Sequence, residues 1–196
     1  VTSAREVWTF FAGRAARVDG LVAAGPLQTD VGPDGWWVVR DDGALVRVDP
    51  SAATGEVVSQ QPIYDMCLGP PGRLITMGRD AVLRLLAIDG GTPQVIAELP
   101  FRDEAGGQTF PLHRIQSLPG GRACLCIAFD RGRIVGASRD RLVFLDAEET
   151  LGLTGMDARG DILAAHGPGG RLHVFEGIEN ALSEAFGPLA GNREGC

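Results

Sequence analysis

The chain has 196 residues, of which 44% are hydrophobic, and it carries a formal net charge of −7. This length can bury the core of one domain. The acidic balance argues against nucleic acid and anionic membranes as partners, because both require clustered basic charge. No run approaches the roughly 20 apolar residues that span a bilayer, so we expect a soluble protein. The cysteines are predicted to be reduced, which favours a cytoplasmic location.

Glycine, proline and arginine usage adds two expectations. The 28 glycines and 12 prolines are spread along the chain and predict many tight turns. The sequence contains no lysine, so all 18 basic residues are arginine. We interpret this bias as that of a high-GC, bacterial genome.

The N-terminal segment, residues 1–26, is predicted as a strand or a helix that closes onto the rest of the domain. Ser3 and Glu6 have the spacing of a helical capping box. Residues 6–12 fit a strand equally well, and Gly13 interrupts the helical pattern. Both alternatives stay open on the sequence alone.

Residues 27–176 contain four units with one shared pattern: a strand, a glycine turn, a short apolar strand, a polar turn, and an apolar strand that ends on an acid. The second and third strands of the units lie within residues 32–49, 69–89, 129–146 and 156–176. The closing acids Asp49, Asp89, Asp146 and Glu176 are 40, 57 and 30 residues apart. The long interval has room for an extra, degraded unit at 112–118, and the short one leaves barely enough chain for a fourth strand.

The C-terminal segment, residues 177–196, is predicted as a strand or a tail. Within it, residues 178–189 have the pattern of one short amphipathic helix.

The fourth unit resembles the NHL repeat. Residues 157–166 read D-A-R-G-D-I-L-A-A-H and, after four loop residues, 171–176 read R-L-H-V-F-E. The family pattern is D-x-x-G-N-I-Y-V-A-D, four loop residues, then R-I-Q-V-F-D. Asp161 and His166 depart from it, and the repeats of gluconolactonase-like propellers share much of the same pattern.

The resemblance implies an all-β fold. We expect a small β-propeller of four to five four-stranded antiparallel blades. Because the units are few and unevenly spaced, an incomplete ring that is completed by oligomerisation is the alternative to a closed one.

No cofactor or metal site is predicted, and the catalytic residues are unknown. A gluconolactonase-like propeller would hold a divalent cation on its axis through oxygen ligands. The Asp-Gly pairs at 34–35 and 42–43 fit ordinary hairpin turns better than ligands. Ser138 lacks the second glycine of a nucleophile elbow.

The cysteines and the clustered arginines are predicted to be structural. Cys124 and Cys126 lie two apart in an apolar run, so both point to one face of a strand and make a poor disulfide. We expect them and Cys67 to be reduced and buried, and Cys196 to be exposed. Arg131, Arg133, Arg139 and Arg141 alternate with aspartates and are predicted to be solvated.

Four residues are candidates for an interaction surface. Trp36 and Trp37 are adjacent, so one faces each side of a strand. One is expected to pack between blades, and the other either forms a binding surface or takes a partly buried packing role. His166 and His173 lie across a turn, where a structural role is favoured over a two-histidine half-site. The leading hypothesis is a non-catalytic interaction or scaffold module for a protein partner or for self-association. A metal-dependent, lactonase-like hydrolase is the alternative.

Overall fold

The protein is analysed as a computed structural model, which describes residues 5–11, 14–23, 28–32, 35–40, 42–49, 51–59, 62–78, 80, 82–89, 91–100, 112–118, 120–128, 131–145, 150–151, 155–159, 162–167 and 170–187. These residues form four antiparallel blades, an N-terminal hairpin and one helix. The hairpin consists of β1 (Arg5–Phe11) and β2 (Arg14–Ala23). The first blade contains β3 (Gln28–Gly32), β4 (Gly35–Val39), β5 (Leu45–Asp49) and β6 (Thr54–Ser59). The second contains β7 (Ile63–Leu68), β8 (Arg73–Gly78), β9 (Val82–Ala87) and β10 (Gln94–Pro100).

The third blade contains β11 (Leu112–Ser117), β12 (Ala123–Ala128), β13 (Arg131–Ala137) and β14 (Leu142–Phe144), and β15 (Thr150–Leu151) also pairs with β13. The fourth contains β16 (Gly155–Arg159), β17 (Ile162–His166) and β18 (Leu172–Phe175), and helix α1 (Ile178–Phe186) follows. The helix confirms the predicted amphipathic turn, so the C-terminal segment is not simply a strand or a tail.

The four sequence units correspond to the four blades. The predicted pair of strands forms the second and third strands in the first, second and fourth blades, β4–β5, β8–β9 and β17–β18. In the third blade it forms the third and fourth strands, β13–β14. Residues 112–117 form β11, the first strand of the third blade, so the suggestion that they begin an extra blade is wrong.

The N-terminal hairpin lies beside the first blade. β1 pairs with β2, and β2 pairs in parallel with β6 through Asp19 and Thr54. Residues 5–11 are therefore a strand, and the helical alternative suggested by Ser3 and Glu6 is wrong.

The first strands of successive blades contact one another: β3 contacts β7, β7 contacts β11, and β11 contacts β16. Such contacts are typical of innermost strands arranged around a common axis. The outermost strand of each blade consequently lies at the periphery of the propeller.

Three apolar clusters fill the spaces between successive blades. Trp37 and Leu45 belong to the cluster between the first and second blades, and Ile75 and Leu85 to the cluster between the second and third. The cluster between the third and fourth blades also includes Leu182 of α1. The helix packs closely there, because a Cβ added to Gly136 would lie 2.8 to 3.0 Å from Leu145, Leu182 and Phe186.

Candidate interaction surface

The two faces of the fourth blade differ in chemistry. Strand pairing places Leu163 opposite Phe175 and Ala165 opposite His173, and this face turns toward the third blade and α1. The intervening residues, Ala164 opposite Val174 and His166 opposite Leu172, lie on the other face.

The outward face of the fourth blade is apolar and exposed. Ile162, Leu172 and Val174 are 42%, 67% and 49% exposed, and they are three of the seven exposed large hydrophobic residues among the residues described. On the first blade, by contrast, the face that turns away from the second blade carries the buried side chains of Val38 and Val46. Clustered exposed apolar residues are a recognised mark of an interaction site.

No described strand covers the outer edge of this blade. The sheets of the first three blades contain at least four strands each, whereas the sheet of the fourth contains three in the part of the chain that the structure describes. After β18, Gly177 adopts a φ of 72°, and the chain turns into α1 instead of adding a strand. β18 therefore ends its sheet with no described strand beside it.

A pocket of about 280 Å³ lies at the C-terminal end of β18. Its lining is mostly apolar and comes from three elements: Ile134 and Leu145 from the third blade, Val174, Phe175 and Glu176 at the end of β18, and Gly177, Ile178 and Ala181 at the start of α1. This size is slightly below that of typical small-molecule sites and fits one or two side chains of a docked protein segment.

Only one of the two predicted tryptophans is accessible. Trp37 is 0% exposed and packs in the core between the first two blades, so it takes the packing role and cannot contribute to a surface. Its Nε1 is buried with no hydrogen-bond acceptor among the described atoms. Trp36 is half-buried beside Val38 and Val46, and its role in binding stays a prediction.

The two predicted histidines do not form a pair. His166 opposes Leu172 on the outward face, and His173 opposes Ala165 on the inward face. The hairpin thus separates the imidazoles instead of bringing them together. His166 is exposed at the edge of the apolar patch, and His173 is half-buried, with a buried Nε2 that lacks a hydrogen-bond partner among the described atoms.

The described cysteines lie together in the core between the second and third blades. Cys67, Cys124 and Cys126 are buried and form no disulfide, as predicted. The sulfurs of Cys124 and Cys126 are 3.9 Å apart. Hydrogen bonds from Cys126 and Cys67 lower the pKa of Cys124, whereas burial raises the pKa of Cys126. Cys196 lies outside the described residues.

The prediction that the clustered arginines are solvated is wrong for Arg133. Its side chain is buried, and its guanidinium lies 4.1 Å from the ring centroid of Phe144. Register explains this position, because Arg133 opposes Cys126 and therefore faces the second blade. Arg139 and Arg141 are exposed, as expected.

The remaining candidates have structural roles where they are described. Asp42 accepts a hydrogen bond from the backbone N–H of Ala44, and the guanidinium of Arg40 holds the pKa of Asp42 below its usual value. Ser138 donates to Asp140 and accepts from the backbone N–H of Arg141 in the β13–β14 turn. Asp34 and Asp41 lie outside the described residues. The described residues include no group of three His, Cys, Asp or Glu side chains that could hold a metal ion.

Sequence reasoning missed Ile162, Leu172 and Val174. A signal was present, because the fourth unit is the shortest and has barely enough chain for a fourth strand. Leu172 and Val174 lie two apart on its outer strand and therefore share one face, which is exposed.

Comparisons with known proteins show the fold class. The chain is similar to a chain in the structure of a mitotic checkpoint complex, with a TM-score of 0.65 at 12% identity over 91% of this chain and 57% of that one. It is similar to the β-propeller domain of Cps50 (Swd1) from Myceliophteria thermophila, with a TM-score of 0.56 at 12% identity over 89% and 63%. It is also similar to the computationally designed protein Ika4, with a TM-score of 0.57 at 12% identity over 81% and 94%.

The protein is a small β-propeller. The chain spans only 57% of the chain from the mitotic checkpoint complex and 63% of the Cps50 chain. No family model and no curated protein matches the sequence. Among the described residues, no helix has the length and apolarity required to cross a membrane.

Proposed function

We propose that this propeller is a non-catalytic interaction module that presents the outward face of its fourth blade to a protein partner in the bacterial cytoplasm. The observation that carries the proposal is the exposed apolar surface formed by Ile162, Leu172 and Val174, beside an edge of β18 that pairs with no described strand. Burying such a surface against a partner is favourable, since apolar area contributes about 25 cal/mol per Å² removed from water.

The position of this surface supports the same interpretation. In a propeller the blades are rigid, and each is held by its neighbours. The fourth blade is held on its inward face by Leu163 and Ala165, so its outward face is a preorganised platform that loses little conformational entropy on binding. One structural neighbour is part of a multi-protein complex, which supports an interaction role for the fold.

The NHL-like character belongs to this proposal as well. The fourth unit, which carries the match to that repeat pattern, is also the blade with the exposed face. Asp157 and Ala164 oppose each other in β16 and β17, so the motif spans the strands that form the platform. The hydrolase alternative receives no comparable support from the described residues.

The proposal is tested by affinity capture from a lysate of the native host, using the full chain and a matched pair of variants. Leu172→Glu/Val174→Glu places charge on the platform, and Val95→Glu/Ile96→Glu places it on the exposed outer strand of the second blade. We expect a protein that is captured by the wild type and the control, is lost with the platform variant, and binds again when both components are purified.

Two results contradict the proposal. One is a captured protein that binds the platform variant as well as the wild type. The other is turnover of a small ester or lactone that is abolished by chelation, since this would assign the protein to the hydrolase alternative.

A further inference from the structure

The interface between the second and third blades contains a cluster of thiols that the proposed function does not use. Cys124 and Cys126 lie on β12 and Cys67 lies on β7, and all three are buried. Because Cys124 and Cys126 are two apart on one strand, both side chains point into the same interface. Their sulfurs are 3.9 Å apart, and Cys67 is a second hydrogen-bond partner of Cys124. The strand therefore presents two thiols side by side.

The separation of these two sulfurs fits two ligands of one metal ion. A metal–thiolate bond such as that of zinc is about 2.3 Å long. Two sulfurs bound to one ion at that distance lie about 3.8 Å apart at a tetrahedral angle and about 4.6 Å apart in a linear arrangement. The distance of 3.9 Å between Cys124 and Cys126 falls within this range. One ion can thus be bound by both sulfurs after small rotations of the two side chains.

The type and number of the ligands indicate which ion fits. Hard cations such as Mg²⁺ and Ca²⁺ require oxygen ligands. Zinc in structural sites almost always has four ligands, and the described residues include no group of three that could hold a metal ion. Cu(I) is a soft ion that prefers sulfur and forms stable complexes with a pair of thiolates. The pair on β12 therefore fits monovalent copper.

Two charged side chains in this interface act on such a complex in opposite directions. A Cu(I) ion with two thiolates is an anion. Arg133 pairs with Cys126 in the register of β12 and β13, so its buried guanidinium lies on the same side of the blade and offsets the negative charge. The carboxylate of Asp65 opposes negative charge on Cys126, but it accepts hydrogen bonds from two backbone N–H groups that stabilise its own charge.

From this geometry we propose that Cys124 and Cys126 bind one Cu(I) ion in the interface between the second and third blades. Two copper–sulfur bonds form as the two thiols release their protons to solvent, and the copper keeps its oxidation state. Both cysteines are 0% exposed, so the ion enters while the blades assemble and leaves only when they separate. Copper binding is therefore coupled to folding, and the ion stabilises the closed interface.

Refolding of the full chain with Cu(I) tests this site. Every chain also carries Cys196→Ser, which removes the thiol outside the described residues. The unfolded chain is refolded without oxygen in the presence of the Cu(I) complex of bicinchoninate, and protein-bound copper is measured after gel filtration. We expect about one copper ion per chain, and we expect Cys124→Ala and Cys126→Ala each to abolish its retention. Cys67→Ala is the matched control, because it removes a buried thiol from the same cluster but leaves the pair intact, and it should retain the ion.

Two further measurements make the result decisive. Circular dichroism shows whether each variant folds, and X-ray absorption at the copper edge identifies the ligand atoms without any substitution in the pair. We expect two sulfur neighbours. A parent chain that retains no copper, a folded Cys124→Ala chain that retains as much as its parent, or a copper ion with nitrogen or oxygen neighbours overturns the inference. Equal loss of copper in a folded Cys67→Ala chain, or three sulfur neighbours, also overturns the two-thiolate site.

Discussion

The backbone N–H of Ile115 donates a hydrogen bond of 2.8 Å to Oδ2 of Asp65. This bond connects β11 to β7, the innermost strands of the third and second blades. The other carboxylate oxygen accepts from the backbone N–H of Met66, also at 2.8 Å. Asp65 is buried, so its carboxylate joins the two blades where water is excluded.

We expect Asp65→Asn to destabilise the protein by about 1.5 to 3 kcal/mol. An amide has one acceptor oxygen in place of two, so one of the two buried N–H groups loses its partner. The measurement is chemical unfolding followed by circular dichroism. Asp89→Asn is the matched control in the same blade, because the Asp89 side chain is 63% exposed in its ion pair with Arg73, and exposed carboxylates contribute only about 0 to 1 kcal/mol through such pairs. Equal losses in both variants would show that Asp65 does not join the blades.

A close backbone approach connects the same two blades at their turns. Gly121 has a φ of 68°, and a Cβ added to it would lie 1.9 Å from the carbonyl oxygen of Gly69. Gly120 has a similarly positive φ of 86°, but a Cβ there would meet no atom within 4 Å. Substitutions at these two neighbouring glycines therefore distinguish the cost of backbone strain from the cost of a steric clash.

Gly121→Ala is expected to lower the free energy of unfolding by about 3 kcal/mol or more, because it combines a left-handed conformation with a clash that pushes the blades apart. Gly120→Ala carries only the conformational cost, about 1 to 2 kcal/mol. Thermal unfolding of both variants measures the difference. If Gly120→Ala is as damaging as Gly121→Ala, the contact with Gly69 is not a stabilising feature of the fold.

The blades could be predicted from sequence because the signals are local. A glycine turn followed by apolar residues in a short strand is specified within about ten residues, as in the segments that became β4–β5 and β8–β9. Register also decides face, so the burial of Cys124 and Cys126 follows directly from their spacing.

Features that depend on distant parts of the chain could not be predicted. The parallel pairing of Asp19 with Thr54 joins segments with no shared local pattern. Arg133 is buried where its guanidinium lies over the ring of Phe144, which belongs to the neighbouring strand β14. The exposure of Leu172 depends on which elements pack on the outward face of its blade, which its own short strand does not specify.

The thiol cluster gives a prediction that separates the described cysteines from Cys196. Cys67, Cys124 and Cys126 are buried, and burial raises the pKa of Cys126. Thiol reagents require an accessible thiolate, so we expect at most one fast-reacting thiol in the native chain and four after unfolding in denaturant. Cys196→Ser is expected to remove the fast reaction. Fast modification that persists in this variant would show that the core between the second and third blades opens readily.

Asp80 provides a pH-dependent contribution to stability. Its carboxylate accepts a 3.0 Å hydrogen bond from Nη1 of Arg84, and this interaction lowers its pKa from the usual 3.8. A carboxyl whose pKa is lower in the folded state stabilises the fold above its unfolded value, and this stabilisation is lost as the pH falls through the folded value. The loss should therefore occur below pH 3.8.

Asp80→Asn is expected to cost only about 0.2 to 1 kcal/mol at neutral pH, because half of the Asp80 side chain is exposed to solvent. The amide oxygen can still accept from the backbone N–H of Val82, so the turn is kept. Urea unfolding of the wild type and the variant at about pH 7 and about pH 2 measures the effect, which should disappear at the lower pH and shrink in about 1 M salt, where the screening length is about 3 Å. A difference that is unchanged at both pH values would mean that the loss arises from packing and not from the charge of Asp80.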